Sequence, residues 1–193
     1  MSVLFQTQKS AFVIHDTDDL KIDLRACADD VDSKLIFHPE IKIFNKVAHQ
    51  QRSIGFFSDE SIGYRYSGQI ANAQPLSPCL KDLLSEINRK FSSQFNGILI
   101  NKYLSGEEYI GKHSDDEKSL DPETGVICCS LGAVRKFRIR SKETGKILLD
   151  YPTESNKIIQ MRGQFQKEFT HEIPVEKKVQ GVRYSFTFRK HLE

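Results

Sequence analysis

The sequence predicts an α+β fold that is mostly β, a β-sandwich or jelly roll with helices near the N-terminus bracing one sheet. Three observations predict it. After Phe95 the chain consists of short apolar stretches separated by Gly and Pro turn signals. One amphipathic helix comes before them, and 193 residues are enough for one domain with a real core. We therefore expect a single domain over 1–193, with helices in 1–95 and the jelly-roll core in 96–193.

Composition excludes several classes of protein. With 38% hydrophobic and 28% charged residues and a net charge of +2, the chain is ordinary for a soluble globular protein and favours no particular partner. No signal-like or membrane-length apolar run is visible, so we expect an intracellular protein without membrane contact. The cysteines have no Cys-x-x-Cys spacing, which predicts neither a zinc site nor a disulfide framework and fits a reducing compartment. They are Cys27, Cys79, Cys128 and Cys129.

The first third of the chain gives weaker signals. Residues 1–10 are predicted to be a loose leader, and 11–15 a short strand. A helix is predicted from Asp16 or Thr17 to Val31, although residues 20–24 also fit a strand. Residues 34–76 are expected to be irregular, with short extended pieces at 41–44 and 62–68.

The next helix is predicted clearly. Ser77 is a good N-cap, and Pro78 suits the first helical position because its missing N–H is not needed there. One apolar stripe then follows at helical spacing. Its members are Leu80, Leu83, Leu84, Ile87 and Phe91.

The remainder is predicted to be strands alone, joined at turn signals such as Ser105-Gly106, Gly132 and Thr144-Gly145. The predicted strands cover 97–104, 125–131, 135–141, 146–150, 156–161, a stretch around 166–173, and 181–190.

Polar residues with metal-binding capacity follow the first of these strands. Asn101 and Tyr103 share one face of it, and His113 and Asp115 have the same spacing ten residues later. With His171, two imidazoles and a carboxylate make a facial triad, which leaves three coordination positions open on a non-haem Fe(II). Taken alone, His-x-Asp also fits an unconnected surface pair.

The last strand adds an anion-binding pattern. In 183–189, alternation places Arg183, Ser185, Thr187 and Arg189 on one face and three aromatic residues on the other. If the aromatic face packs into the protein, the arginines project toward the jelly-roll interior, where buried guanidinium groups need an anion such as a small dicarboxylate. The alternative is a solvated edge strand.

Together these motifs resemble the AlkB family of Fe(II)/2-oxoglutarate dioxygenases. The pattern is Asn101-x-Tyr103, His113-x-Asp115, His171 and Arg183-x5-Arg189, and the resemblance covers roughly 40–190. It is strongest to the group that repairs double-stranded DNA, and it implies a double-stranded β-helix. One departure is Ser185, where several members carry Asn.

The resemblance implies a role for each residue of the motif. His113, Asp115 and His171 would hold Fe(II), while Asn101, Tyr103, Arg183, Ser185 and Arg189 would hold 2-oxoglutarate. Arg183 would meet the distal carboxylate of 2-oxoglutarate. With O2 as the other co-substrate, the family hydroxylates an N-methyl group of a nucleic-acid base, which then leaves as formaldehyde.

The resemblance also implies a nucleotide-recognition segment within 1–95. A stacked base must be flipped or unpaired to reach the iron. Tyr66 would stack on that base, Tyr64 and Ser67 would give polar contacts, and Asp116 and Glu117 would accept hydrogen bonds from an exocyclic amine of 1-methyladenine or 3-methylcytosine. Plain core tyrosines are the alternative.

Two further features point to duplex contact. Phe44 aligns with an apolar wedge that fills the gap left by a flipped base, followed eight residues later by Arg52; a buried Phe44 is the alternative. Lys136, Arg138, Arg140 and Lys142, the basic stripe, alternate along one predicted strand with Arg135 beside them. Phosphate contact and a merely solvated face explain the stripe equally well.

The partners expected are DNA or RNA, with the protein a monomer in the nucleus or cytoplasm. The rival enzyme is a 2-oxoglutarate oxygenase acting on 6-methyladenine in RNA, on a protein or on a small molecule. A binding module without catalysis would be expected to lack part of the triad, and a metallohydrolase would not need Arg183 and Arg189.

Overall fold

The larger of two main sheets is antiparallel and has seven strands. It is seen in a computed structural model that describes residues 1–43, 46–66 and 69–192. The main sheet takes three strands from the first 95 residues and four from the rest. Across the sheet the order is β1 (Ser2–Gln6), β2 (Ser10–Asp16), β13 (Lys157–Gly163), β10 (Val126–Gly132), β15 (Arg183–Arg189), β8 (Gly97–Tyr103) and β5 (Ser53–Phe57).

A smaller sheet of four strands faces it. Its order is β12 (Ile147–Pro152), β11 (Lys136–Ser141), β14 (Phe169–Ile173) and β9 (Ile110–His113). Two hairpins stand apart: β3 (Glu40–Ile43) with β4 (Lys46–His49), and β6 (Gly63–Tyr66) with β7 (Gln69–Asn72). The helices are α1 (Leu24–Val31), a 3-10 turn (Asp32–Lys34), α2 (Pro78–Phe91) and the single-turn α3 (Phe165–Glu168).

Two apolar layers enclose the main sheet. Between the sheets, side chains such as Phe12 and Met161 meet Phe137 and Ile139 of the smaller sheet. On the outer face, α1 and α2 cover a second core. This arrangement confirms the predicted mostly-β jelly roll in which helices brace one sheet.

Helix α2 forms where the sequence predicts it. The Ser77 hydroxyl oxygen accepts a hydrogen bond from the Leu80 backbone N–H at 3.3 Å, and Pro78 occupies the first turn. Leu80, Leu83 and Ile87 are fully buried on the face that packs against the sheet. Burial of each such side chain contributes roughly 1.5–3 kcal/mol.

The N-terminal predictions need two corrections. Residues 2–6, predicted to be loose, form edge strand β1, which is mostly exposed and therefore carries no alternating pattern. The predicted helix from Asp16 or Thr17 begins instead at Leu24, because the Asp23 carboxylate accepts the Arg25 backbone N–H at 2.8 Å and caps it. In the second half six of the seven predicted strands are confirmed, and the four-residue β9 is an addition. The stretch around 166–173 is a strand only from Phe169, because residues 165–168 form the single-turn helix α3.

The prediction that the cysteines form no disulfide is wrong. Cys27 of α1 and Cys79 of α2 are disulfide-bonded, with Cα atoms 5.5 Å apart and 52 positions apart in sequence. Sequence spacing could not show this pairing, because it depends on the two helices lying side by side. Cys128 and Cys129 are free and buried in opposite layers of β10, as predicted for neighbours on a strand.

We expect the disulfide to contribute to stability. Replacing Cys27 and Cys79 together by Ala should lower the free energy of unfolding by about 2–4 kcal/mol, because the bond restricts the unfolded chain. Urea titration with and without reductant measures this. Reductant should destabilise the wild type and leave the double variant unchanged; an equal effect on both would contradict the expectation.

No helix within the described ranges is long and apolar enough to cross a membrane.

Candidate metal centre and cofactor pocket

Two segments far apart in sequence, 113–115 and the strand that contains His171, converge at the β9–β14 edge of the smaller sheet. In the pairing of β9 with β14, His113 lies directly opposite His171, and their ring centroids are 4.3 Å apart. Asp115 follows β9 and is buried. One potential ligand atom from each of His113, Asp115 and His171 lies within 4.8 Å of the others. The short strand β9, which sequence analysis missed, therefore creates this cluster.

The electrostatics of the cluster suit a cation. Burial acts to raise the pKa of Asp115, but the Arg189 guanidinium and the two imidazoles outweigh it and lower the pKa to about 2. Burial, with a contribution from His113, lowers the pKa of His171 to about 3. At neutral pH the cluster therefore has an ionised carboxylate and a neutral His171 ring, the forms that bind metal.

The contacts around Asp115 leave one oxygen for a metal. Arg189 Nη2 donates to Asp115 Oδ1 at 2.6 Å. Asp115 Oδ2 is buried and has no hydrogen-bond partner among the described residues, and it lies 3.6 Å from His171 Nε2. A buried acceptor beside a neutral imidazole is satisfied by a divalent cation. The donor set of two imidazoles and a carboxylate thus fits Fe(II).

Neighbouring groups orient these side chains. The Asp115 backbone N–H donates to Gln166 Oε1 at 3.0 Å, and the Phe137 ring stacks on His171 with centroids 5.1 Å apart. His113 Nδ1 lies 2.9 Å from the Gly111 carbonyl oxygen, a contact typical of metal-binding histidines. Sequence analysis named neither Gln166 nor Phe137 as functional; alternation along β11 does place Phe137 on the inner face.

Strand β15 supplies the second part of the site. Its aromatic residues Tyr184, Phe186 and Phe188 pack in the layer beneath the helices. Arg183, Ser185, Thr187 and Arg189 face the other way and line the triad pocket, the cavity that also contains His113, Asp115 and His171. The prediction that both faces of this strand are buried is therefore confirmed, and the alternative of a solvated edge strand is wrong.

Arg183 lies in the pocket and has no carboxylate partner among the described residues. Its side chain is 1% exposed, and Nε and Nη2 donate to the hydroxyl oxygens of Thr153 and Ser130 at 3.1 and 3.3 Å. Nη1 is buried with no hydrogen-bond acceptor in the described part of the chain. A buried guanidinium held only by neutral groups is a receptor for an anion.

Asn101, Tyr103 and Ser185 lie between the two arginines. Ser185 occupies the position where several AlkB members carry Asn. Asn101 Nδ2 donates to Ser185 Oγ at 3.4 Å, which is long for a hydrogen bond. The Arg183 guanidinium lies 5.3 Å from the centre of the Tyr103 ring. All three side chains are buried and line the triad pocket.

Arg52, predicted beside the wedge, is also buried here. Arg52 is only 5% exposed, and its Nε donates a hydrogen bond to Asn101 Oδ1 at 2.7 Å. The structure thus places Arg52 against Asn101 in the triad pocket. Phe44 and Ser67 lie outside the described residues, as does the side chain of Tyr66.

Of the remaining substrate candidates, two are linked to the metal centre. Tyr64 is buried, its hydroxyl donates to Glu117 Oε1 at 2.8 Å, and Arg189 lies over its ring at 4.9 Å. Burial raises the pKa of Glu117, whose Oε2 has no hydrogen-bond partner among the described residues. Asp116 instead points to the surface, where Lys142 Nζ donates to it at 2.9 Å.

The basic stripe is neutralised by acidic partners. Arg138 donates to both carboxylate oxygens of Asp150 at 2.7 Å, and Arg140 pairs with Glu172 at 2.9 Å. Arg135 is 1% exposed and binds carbonyl oxygens of loops at one end of the sandwich, including those of Ser105 and Pro174. These contacts favour a structural role for the stripe over phosphate binding.

His191 gives the fold a dependence on pH. Its ring is buried between Phe56 and Tyr64, and neither ring nitrogen has a hydrogen-bond partner in the described part of the chain. Burial, with Arg189 and Lys190 adding repulsion, lowers the pKa of His191 to about 4. In the unfolded chain the pKa would be near 6.5, so protons bind the unfolded state first as pH falls.

We therefore expect His191 to weaken the fold between pH 6.5 and 4. Replacing His191 by Leu should remove about 2 kcal/mol of the loss of stability that the wild type shows from pH 7 to pH 5. Urea titrations at both pH values measure this. The exposed His49 gives the matched variant His49→Leu, which should keep the wild-type dependence; equal slopes for all three proteins would refute the expectation.

Comparison with known proteins identifies the family of this chain. Residues 16–189 match the family model described as the 2OG-Fe(II) oxygenase superfamily. Human "DNA oxidative demethylase ALKBH2" is 30% identical over 159 residues, which cover 79% of this chain and 61% of that protein. Mouse "Alpha-ketoglutarate-dependent dioxygenase alkB homolog 3" is 32% identical over 120 residues, which cover 58% and 42%. The chain thus spans less than two thirds of the length of either relative.

A solved structure shows the same fold. "The structure of OsALKBH1" superposes with a TM-score of 0.58 at 14% identity and covers 96% of this chain and 100% of that one. The predicted resemblance to AlkB proteins is confirmed by these relatives. Because the family model spans nearly the whole chain, the chain belongs to the 2OG-Fe(II) oxygenase superfamily, whose members use Fe(II), 2-oxoglutarate and O2.

Proposed function

We propose that the protein is a dioxygenase that removes methyl groups from alkylated nucleic-acid bases. The observation that carries the proposal is the triad pocket, in which one cavity contains a metal-competent His-Asp-His cluster and a buried guanidinium that neutral groups alone contact among the described residues. The names of the relatives, DNA oxidative demethylase among them, indicate the substrate class.

Each part of the pocket has a role in this proposal. His113, Asp115 and His171 would hold Fe(II), and Arg183 would bind the distal carboxylate of 2-oxoglutarate. Arg189 orients Asp115 through its 2.6 Å hydrogen bond. When bound with O2, iron and 2-oxoglutarate supply the oxidation that hydroxylates an N-methyl group, which leaves as formaldehyde.

The substrate side of the pocket suits a cationic lesion. Glu117 and Tyr64 form a hydrogen-bonded pair beside the triad pocket, and Glu117 Oε2, which has no partner among the described residues, is an acceptor for an exocyclic amine. 1-Methyladenine and 3-methylcytosine carry both the amine and a positive charge. The sequence also predicts that five further residues contact the substrate, and these contacts remain proposals. They are Phe44, Arg52, Tyr66, Ser67 and Asp116.

One experiment tests the function directly. The protein is loaded anaerobically with Fe(II) and 2-oxoglutarate, then given O2 and single- or double-stranded DNA and RNA carrying 1-methyladenine, 3-methylcytosine or 6-methyladenine. Mass spectrometry identifies which methyl group is lost, and a formaldehyde assay counts the turnovers. Loss of methyl from the first two lesions supports the proposal.

Other outcomes would point to the rival substrates. Turnover of 6-methyladenine in RNA alone, or of methylated histone peptides with no loss from any oligonucleotide, would overturn base repair while keeping the oxygenase. Faster repair of single than of double strands would count against a duplex wedge at Phe44.

We further propose that the protein acts as a monomer in the nucleus or cytoplasm. The cysteine spacing predicts a reducing compartment, but the Cys27–Cys79 disulfide removes that inference. The proposed compartment therefore depends on the nucleic-acid substrate alone. Light scattering during size-exclusion chromatography tests the first part, and imaging of the tagged protein in cells tests the second.

A further inference from the structure

A second cavity lies directly outside the triad pocket. It has a volume of about 420 Å³, within the roughly 300–1,000 Å³ range of small-molecule sites. Its walls come from the segment before β3, the link between β4 and β5, and strand β7. Arg52, Tyr64 and Leu99 line both this outer cavity and the triad pocket. A planar group seated in the outer cavity would therefore lie next to the metal centre.

One buried polar atom in the outer cavity, the side-chain oxygen of Gln50, accepts no hydrogen bond from the described residues. Gln50 lines this cavity and is 9% exposed, and its Oε1 has no hydrogen-bond partner in the described ranges. Its backbone N–H is already used, since it donates to the Pro39 carbonyl oxygen at 2.9 Å. A buried, unpaired carbonyl oxygen costs about 1–3 kcal/mol unless a ligand supplies the donor.

The neighbouring amide is satisfied within the protein. Gln74 lines the same cavity, but its Nε2 donates to the Lys34 carbonyl oxygen at 3.1 Å. An exocyclic amine has two N–H donors, and Glu117, proposed above as the acceptor for one of them, lines a different cavity that shares Asp115 and Arg189 with the triad pocket. Gln50 is thus the buried acceptor that the outer cavity offers among the described residues.

We propose that Gln50 Oε1 accepts a hydrogen bond from the 6-amino group of adenine or the 4-amino group of cytosine and selects bases that carry an amine at that position. The inference rests on the proposed function for the identity of the substrate. Adenine and cytosine present an amine as a donor, while guanine and thymine present a carbonyl oxygen at the equivalent position. A carbonyl facing Gln50 Oε1 would leave two acceptors opposed.

Binding without turnover tests this selectivity. The enzyme is loaded with Fe(II) and 2-oxoglutarate without O2, and Kd is measured by fluorescence anisotropy for matched oligonucleotides. The pairs are 1-methyladenine against 1-methylguanine, and 3-methylcytosine against 3-methylthymine. We expect the wild type to prefer 1-methyladenine and 3-methylcytosine over their carbonyl-bearing counterparts roughly tenfold or more.

Three variants distinguish a hydrogen bond from the amine to Gln50 from an effect of side-chain packing in the cavity. Gln50→Met keeps the length but removes the acceptor, so the ratio of Kd values should fall toward one. Gln50→Glu keeps an acceptor and should keep the preference. Gln74→Met alters the same cavity without touching Gln50 and should keep the wild-type ratio. Thermal unfolding and 2-oxoglutarate binding of each variant show that it is folded.

The outcomes separate this inference from the proposed function. A wild-type ratio near one, an unchanged ratio in Gln50→Met, or equal weakening for both members of a pair would overturn the role of Gln50. Admitting O2 to the same samples then tests demethylation. Absence of formaldehyde with every lesion would overturn the proposed function, while the Kd ratios would still decide the role of Gln50.

Discussion

Replacing His171 by Ala should abolish metal binding and turnover together. His171 is buried, lies opposite His113 in the β9–β14 pairing, and is 3.6 Å from Asp115 Oδ2, so its loss takes one of the three donors from the cluster. A bound metal contributes several kcal/mol to catalysis. We therefore expect turnover to fall at least about a thousandfold, since 1.36 kcal/mol corresponds to a factor of ten. Anaerobic calorimetry with Fe(II) and a succinate assay measure both losses.

A matched histidine shows whether the effect is specific. His49 is exposed at the end of β4, with Nδ1 3.0 Å from the His38 carbonyl oxygen. His49→Ala should bind Fe(II) and turn over like the wild type. The assignment of the metal centre fails if His171→Ala keeps more than a tenth of the wild-type activity or its Fe(II) affinity.

Replacing Arg183 by Gln should act on 2-oxoglutarate and leave the metal in place. Truncating one partner of a buried, hydrogen-bonded charge pair costs roughly 2–5 kcal/mol. We expect KM for 2-oxoglutarate to rise at least thirtyfold by that estimate, with a smaller fall in kcat at saturating 2-oxoglutarate. Initial rates of succinate formation over a range of 2-oxoglutarate concentrations separate the two parameters.

The exposed Arg162 of β13 supplies the control. Arg162→Gln removes the same charge from the chain but lies outside the triad pocket, so its KM should match that of the wild type. Fe(II) affinity should be unchanged in both variants. An unaltered KM in Arg183→Gln would mean that the carboxylate binds elsewhere.

The sequence predicts a helix or strand correctly where the pattern lies within that one element. Helix α2 has its cap, its proline and its apolar stripe in one continuous stretch, and alternation in β15 separates its aromatic face from its arginine face. The family motif then connected residues that no local pattern could connect. The comparisons confirm that resemblance, and the geometry brings His113, Asp115 and His171 together as it implies.

The failures concern features that exist only through contacts between distant segments. Strand β9 is four residues long and has its partner near residue 171, so nothing local marks it as a strand. The disulfide needs α1 and α2 to lie side by side. The basic stripe has its acidic partners on neighbouring strands, where Asp150 and Glu172 lie opposite Arg138.

The two faces of β15 limit which changes in chain length the protein can accept. Deleting or inserting one residue within Arg183–Arg189 would turn every later side chain over, placing guanidinium groups beneath the helices and aromatic rings in the triad pocket. The turn around Gly145 carries no such coupling, because residues 142–146 are exposed and join β11 to the edge strand β12. Length variation among natural variants should therefore be tolerated at that turn and be absent from β15.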